Sequence, residues 1–411
     1  MAPQPLLPPE SLARYADAIV KASLGVGRGD TFVVQGEPEH RELLVAVAES
    51  AYRAGATFVD VITSDPLVMR ARLKYGSPDA LGALSPWQRR RLHEVSGRDG
   101  AFAAIHGQSE EGYLDDIPQK RISVDFIRGA KATEFARRAQ MNMTARWTVA
   151  AWPSDYWATR VYPDRAPPEA KRRLAEDLLW FSRLTDEDGK GSTGWLKHVR
   201  AVARRAAKLT RLGLTRVELR GPDTQLDLGL VPGTRWLGGQ EETPFGQKLA
   251  LNMPTEEVFT SPDARSTEGT FACTFPLAFR GRLIEGLRGE FRGGRLIRLD
   301  AASPKDRDFL AAYLDSDSGG RRLGELALVD MSSRIGRSGR VYFNTLLDEN
   351  AAAHIAFGSG FGRTRTERPI RHVNRSTTHL DVMIGGPDLE ATGVHATGRR
   401  IALIRDGSWR I

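Results

Sequence analysis

What constrains the fold of this chain most is the way its hydrophobic period changes along the N-terminal stretch. Ser11 to Leu24 places Leu12, Tyr15, Ile19 and Val20 at helical spacing, and Thr31 to Gln35 is a short β-branched run. Glu39 to Ala54 is again amphipathic with a helical period and stops at Gly55. Phe58 to Thr63 reads as a strand, Trp87 to Val95 as a helix, and Ala101 to His106 as a third strand. Strands that alternate with helices bury both faces of a parallel sheet, so an α/β domain is expected here. The glycine run Gly25-Val26-Gly27-Arg28-Gly29-Asp30 lies between a helix and the next strand. A phosphate loop needs the opposite order, strand then helix, so that helix N–H groups face the anion; the run is therefore read as a tight turn.

Beyond the polar stretch from Gly107 to Pro118 the texture changes. Gln119 to Gln140, Pro167 to Leu184 and Trp195 to Leu212 are expected as long helices, with a short strand at Thr148 to Ala151. The aromatic residues Trp147, Trp152, Tyr156 and Trp157 read as packing residues. From Arg216 onward short strands alternate with glycine turns, as antiparallel sheets require: Val217 to Arg220, Thr224 to Leu230, Phe271 to Leu299, Leu326 to Val329, Val341 to Phe343, His379 to Ile384, and a closing hairpin around Asp406-Gly407. Lys305 to Leu314 and Asp348 to Phe357 are expected as helices. The expected fold is an α/β N-terminal domain with a parallel sheet, residues 1–118, plus a larger, sheet-rich α+β C-terminal domain, residues 119–411.

Composition removes several function classes. With 41% hydrophobic and 27% charged residues the chain is globular. It holds no apolar run long enough to span a membrane. Met1-Ala2-Pro3-Gln4-Pro5 lacks the pattern of a secretory signal. The one cysteine, Cys273, rules out an intrachain disulfide framework and a multi-cysteine zinc site, and a cytoplasmic location is expected. The net charge of +8 invites a nucleic-acid reading. The arginines are scattered as pairs and triplets such as Arg89-Arg90-Arg91 and Arg204-Arg205, with no aromatic-interleaved basic strip, which argues against nucleic acid as a partner.

The chemistry concentrates toward the C-terminus. In Thr378-His379-Leu380-Asp381-Val382, His379 and Asp381 share one face of a strand while Leu380 and Val382 face the core. Such a pair is either a salt-linked couple on a wet face or a pair of metal ligands. In Asp348-Glu349-Asn350-Ala351-Ala352-Ala353-His354, a helix would set Asn350 and His354 one turn apart, with Asp348 as the cap and Glu349 reaching the same pocket from the irregular helix entrance. Glu257 stands between a proline-rich loop and Val258-Phe259, and Glu325 opens an apolar strand; either alone is ordinarily a solvated glutamate. Together Glu257, Glu325, Glu349, His354, His379 and Asp381 form an oxygen and nitrogen donor set without thiolate, which suits two divalent cations such as Zn, Co or Mn. Two such ions can clamp a hydrolytic transition state.

The stretches Asn252 to Pro262, Leu323 to Leu326, Asn344 to Ala356 and Asn374 to Gly385 resemble, in order, those of the aminopeptidase T and aminopeptidase S group, the thermophilic aminopeptidase family of bacterial metallopeptidases. Trp147 to Pro163 is similar to that family's aromatic segment. The resemblance implies that Glu257, Glu325, Glu349, His354, His379 and Asp381 bind two metal ions per chain, and that Glu325 is also the catalytic carboxylate. It further implies a homodimer that removes N-terminal residues from peptides. Either Glu325 or Glu349 would move a proton to the leaving amine. One position departs from the family: its tyrosine, seven residues after the histidine, is Phe361 here. A phenylalanine cannot donate to an oxyanion, so Ser359 or an arginine would have to substitute, or turnover would be low or redirected. The alternative on the same scaffold is a mononuclear non-haem iron ring-cleaving dioxygenase using His354, His379 and Asp381. A non-enzymatic scaffold with a dead site is the remaining reading.

Overall fold

The computed structural model describes residues 5–110, 112–280, 282–365 and 372–411. Met1 to Gln4 of the stretch compared with a signal sequence, and Glu111 of the polar stretch, lie outside the described residues. The chain divides into two compact units: residues 1–200 with 239–255, and residues 201–238 with 256–411. The division falls inside the helix Thr193–Arg211, whereas the sequence suggested the stretch 107–118; residues 119–200 belong to the first unit by this division.

The first unit is built on a four-stranded parallel sheet in the order Phe58–Thr63, Thr31–Gly36, Gly100–His106, Arg146–Ala151. Its first three strands match the expected ones. The fourth, pairing in register from Ala101 with Arg146 to His106 with Ala151, was expected in the other domain. Phe32, Val34, Leu43, Val47, Ile19 and Trp152 form its core. The glycine run is a turn: Gly25 and Gly29 take left-handed conformations that favour glycine, and Asp30 accepts the Gly27 N–H at 2.8 Å. Buried Arg146 then pairs with Asp30 at 2.7 Å and donates to the Gly25 carbonyl at 3.1 Å, which pins the turn to the fourth strand. The long helix expected from Gln119 to Gln140 is two helices, Gln119–Ala132 and Glu134–Met141. They part at Thr133, whose hydroxyl bonds back to the Gly129 carbonyl at 2.9 Å.

Among the described residues the second unit holds a two-stranded antiparallel sheet, Leu277–Phe279 with Arg282–Ile284, and two large antiparallel sheets, as its glycine-punctuated short strands predict. One has eight strands, running from Arg295–Asp300 at one edge through Leu214–Arg220 to Ser408–Trp409 at the other. The other has four, in the order His379–Met383, His354–Gly358, Leu323–Leu328, Val258–Thr260. Two expectations are corrected here. The helix read over Asp348 to Phe357 is only the short turn Thr345–Asp348; from His354 the chain is a strand. The alanine run raises helix propensity, but His354–Gly358 is buried at every position and hydrogen-bonded on both sides, and tertiary pairing overrides propensity. The strand expected at Val341 to Phe343 is irregular chain. Asp348 accepts the N–H groups of Tyr342 at 2.7 Å and of Asn344 at 3.0 Å, bending that segment around its carboxylate, and Phe343 takes a left-handed conformation.

Candidate metal centre

The register of the four-stranded sheet explains why the scattered acids and histidines meet. Ala356 pairs with Asp381 on one side and with Glu325 on the other; His354 pairs with Met383 and with Ala327; Ala327 also pairs with Phe259. Paired residues point to the same face, and so do positions i and i+2. One face therefore carries Phe259, Glu325, Ala327, His354, Ala356, His379 and Asp381, with Glu257 two positions before Phe259. The opposite face carries Leu326, Leu328, Ile355, Leu380 and Val382, all buried. Small residues stand between the polar ones on the first face, at Ala327, Ala356 and Gly358, so the candidate ligand side chains are not separated by bulk.

The distances bear this out. His354 Nε2 lies 3.3 Å from Glu257 Oε2 and 4.0 Å from Asp381 Oδ1. His379 Nε2 lies 3.3 Å from Glu325 Oε2 and 3.3 Å from Asp381 Oδ1. Two groups of potential ligand atoms fall within 4.8 Å of one another: Glu257, Glu325 and His354, and Glu325, His379 and Asp381. Glu325 belongs to both. Glu349, on the turn after Thr345–Asp348, is buried and acts electrostatically on the same cluster, although it is in neither group. It comes in from a turn rather than from the helix the sequence suggested.

Both imidazoles are oriented by their other nitrogen. His379 Nδ1 is 3.0 Å from the Ser359 carbonyl and His354 Nδ1 is 3.3 Å from the Ala352 carbonyl. A carbonyl can only accept, so each Nδ1 carries a proton and Nε2 is the nitrogen turned to the carboxylates, the orientation a histidine takes when Nε2 ligates a metal. Among the described ligand candidates the His379 side is the more open to solvent: that side chain is 33% exposed and Asp381 13%, against 1% for His354.

The protonation energetics are those of a site short of positive charge. Burial pushes Glu325 up to about 7 against the hydrogen bond from His379, with Glu257 and Asp381 adding to the rise. Glu349 is raised well above the usual carboxylate range, by burial first and then by Asp381 and Glu257. Burial opposes charge on the histidines, but the hydrogen bond and charge of Glu257 bring His354 up to about 10, and Asp381 and Glu325 hold His379 well above its ordinary value. Burial likewise works against Asp381, yet His379 beside it keeps it low. Glu257, Glu325, Glu349 and Asp381 together would carry four negative charges, the complement of two divalent cations. The donor set, its spacing and its oriented Nε2 atoms thus fit divalent metal.

Three neighbours complete the surroundings of the cluster. Asn350, fully buried, bonds to Glu256 and Glu349. The Tyr313 hydroxyl donates to the His379 carbonyl at 3.3 Å. Phe361 packs on Phe259 and presents to the His379 ring at 5.5 Å between centroids, nearly perpendicular. Asn350 sits in the stretch that was read as a helix, and Phe361 was singled out as the position where a tyrosine was expected; Tyr313 was missed, since nothing local signals it.

The comparisons agree with this geometry. The family described as thermophilic metalloprotease (M29) matches residues 9–409. Aminopeptidase T of Thermus thermophilus is 32% identical over 405 residues, covering 97% of this chain and 98% of the relative. Aminopeptidase AmpS of Bacillus subtilis is 28% identical, with 97% and 98% covered. The solved structure of wild-type AmpT from Thermus thermophilus superposes with a TM-score of 0.87 at 31% identity, over 98% of both chains. A 2,5-dihydroxypyridine dioxygenase from Pseudomonas putida shares the fold, with a TM-score of 0.50 at 12% identity over 97% of this chain and 98% of that one. An α/β unit with a parallel sheet, a sheet-rich unit that gathers the acids and histidines, and full-length similarity to aminopeptidases converge, and the chain belongs to the M29 thermophilic metalloprotease family of metallo-aminopeptidases, which are hydrolases.

Proposed function

We propose that this protein is a dinuclear metal-dependent aminopeptidase that releases N-terminal residues from peptides. The observation that carries the reading is the sharing of Glu325 between two ligand groups, one with Glu257 and His354 and the other with His379 and Asp381. Glu349 completes the set of six, and two divalent ions (Zn, Co or Mn) balance the four carboxylates. Bound there, such ions supply Lewis acidity and make water a nucleophile near neutral pH. The protein's own part is proton handling and positioning. Glu325 and Glu349 are buried carboxylates of this cluster, and either would take a proton from the attacking water and deliver it to the leaving amine. The Ser359 and Ala352 carbonyls keep both imidazoles from turning. The more open His379 side is where a peptide end enters.

A three-ligand iron site from His354, His379 and Asp381 would leave Glu257 and Glu325, each 3.3 Å from an imidazole Nε2, without a role, and the dioxygenase likeness is one of fold alone. A homodimer and a cytoplasmic location complete the reading, supported by the family resemblance and by the single cysteine. No helix among the described residues is long and apolar enough to cross a membrane. The test is amino-acid release from a panel of short peptides. Release that a chelator abolishes and divalent metal restores supports the proposal; no release from any peptide by metal-loaded protein overturns it.

A further inference from the structure

Asn350 is fully buried, and both ends of its carboxamide are engaged by groups that belong to the ligand segments. Its Oδ1 accepts the N–H of Glu256 at 2.7 Å, across 94 positions of chain. Its Nδ2 donates to the Leu346 carbonyl at 2.8 Å and to Glu349 Oε1 at 3.4 Å. The amide has only one workable orientation, because the reverse would set NH2 against the Glu256 N–H and a carbonyl against two acceptors. Glu256 immediately precedes Glu257, and Glu349 immediately precedes Asn350. One side chain therefore spans two loops whose carboxylates repel each other, Glu257 being among the charges that raise Glu349.

We infer that Asn350 is a positioning residue for the metal centre, fixing the Glu257 strand entrance and the Glu349 carboxylate in one hydrogen-bonded unit; the inference rests on the dinuclear reading above. The bond to Leu346 alone would make Asn350 a local turn closure. The bonds to Glu256 and to the Glu349 carboxylate serve no local turn, and they are the ones that define the distance between two ligands. Outer-sphere partners of this kind typically set metal affinity by roughly 10–100-fold.

The experiment uses chelator-stripped full-length protein titrated with Co²⁺ in competition with a chromophoric chelator, with the visible Co²⁺ spectrum and the circular dichroism recorded. Asn350→Asp keeps the acceptor for Glu256 and removes the donor to Glu349; Asn350→Ser removes both. Asn374→Ser is the matched control, since buried Asn374 donates to the Gly319, Arg322 and Gly358 carbonyls and, among the described residues, to no carboxylate. The expected result is a loss of about 10–100-fold in affinity for at least one of the two bound ions in both Asn350 variants, with an altered Co²⁺ spectrum and native circular dichroism. The control loses thermal stability while its Co²⁺ affinity stays within about twofold of wild type. Wild-type affinity in a folded Asn350→Asp protein overturns the inference, and so does unfolding of both Asn350 variants, which would make Asn350 a framework residue. Failure of the wild-type chain to bind Co²⁺ would instead overturn the dinuclear reading itself.

Discussion

At the scale of single residues, Phe361 stands where the family resemblance leads one to expect a tyrosine. The ring lies against Phe259 and the edge of His379, on the same face as the ligands, so the position looks onto the centre but offers no hydrogen-bond donor. The nearest hydroxyl along the chain, Ser359 Oγ, is directed at the Gly360 carbonyl at 3.5 Å. One oxyanion donor is worth roughly 10²–10³ in turnover. Phe361→Tyr is therefore expected to raise kcat by at least about tenfold with little change in KM, read from initial rates on the best peptide of the panel. An unchanged or lower kcat in a folded, metal-replete variant would show that this position does not serve the oxyanion. Glu325 makes the complementary case: in Glu325→Gln, which keeps shape but cannot exchange a proton, turnover should fall by about 10² or more. Full turnover with metal retained would take the proton-transfer role from it.

At the scale of elements, the ligand face works because small residues separate the polar ones. Ala356 pairs with both Asp381 and Glu325 and is buried, so a longer side chain there must extend between the two carboxylates. Ala356→Leu should abolish divalent-metal binding while the strand pairing survives at an overpacking cost of about 1–3 kcal/mol, visible as lost Co²⁺ affinity with native circular dichroism. Metal affinity equal to wild type would mean that the face does not hold the ions. Beside the parallel sheet, at the end of the short 3-10 turn Pro38–His40, His40 is a fully buried titratable group. Its Nδ1 accepts the Glu37 N–H at 3.0 Å and its Nε2 donates to the Gly107 carbonyl at 3.0 Å, so only the neutral ring satisfies both bonds. Burial lowers its pKa to about 4. The unfolded chain binds this proton near 6.5 and the folded one only near 4, so stability is intact above about 6.5 and is lost as the pH falls toward 4, by roughly 3 kcal/mol from this group. Thermal melts from pH 7 to 4 should show the decline, and His40→Gln should flatten it; an equally steep decline in that variant would assign the effect elsewhere.

The same elements show what the sequence could and could not reveal. His379 and Asp381 were legible because a period of two survives on an edge strand with one open face. His354 was misread because its strand is buried on both sides, so no alternation is left, and the preceding alanines mimic a helix. The fourth parallel strand, Arg146–Ala151, was detached from its sheet because two helices, Gln119–Ala132 and Glu134–Met141, intervene in the chain. Glu257 and Glu325, each alone an ordinary glutamate at a strand end, gained weight only as members of the donor set, and the strand register explains why they meet. Asn350 escaped notice as a connector because its partner Glu256 lies on a distant segment.

At the scale of the whole molecule, the net charge of +8 has no part in the account: the chemistry gathers in one unit, on one face of a four-stranded sheet, around acids rather than arginines. Under the dinuclear proposal the cations would bind the native chain and not the unfolded one, so metal loading should raise the melting temperature and chelation lower it. The most direct test of the account is the count of bound metal per chain, by elemental analysis of full-length protein equilibrated with a balanced mixture of divalent metals and freed of unbound ions. The account predicts two ions of zinc, cobalt or manganese for each chain, both lost together with peptidase activity on chelation; a single iron per chain, or no retained metal in an active protein, would contradict it.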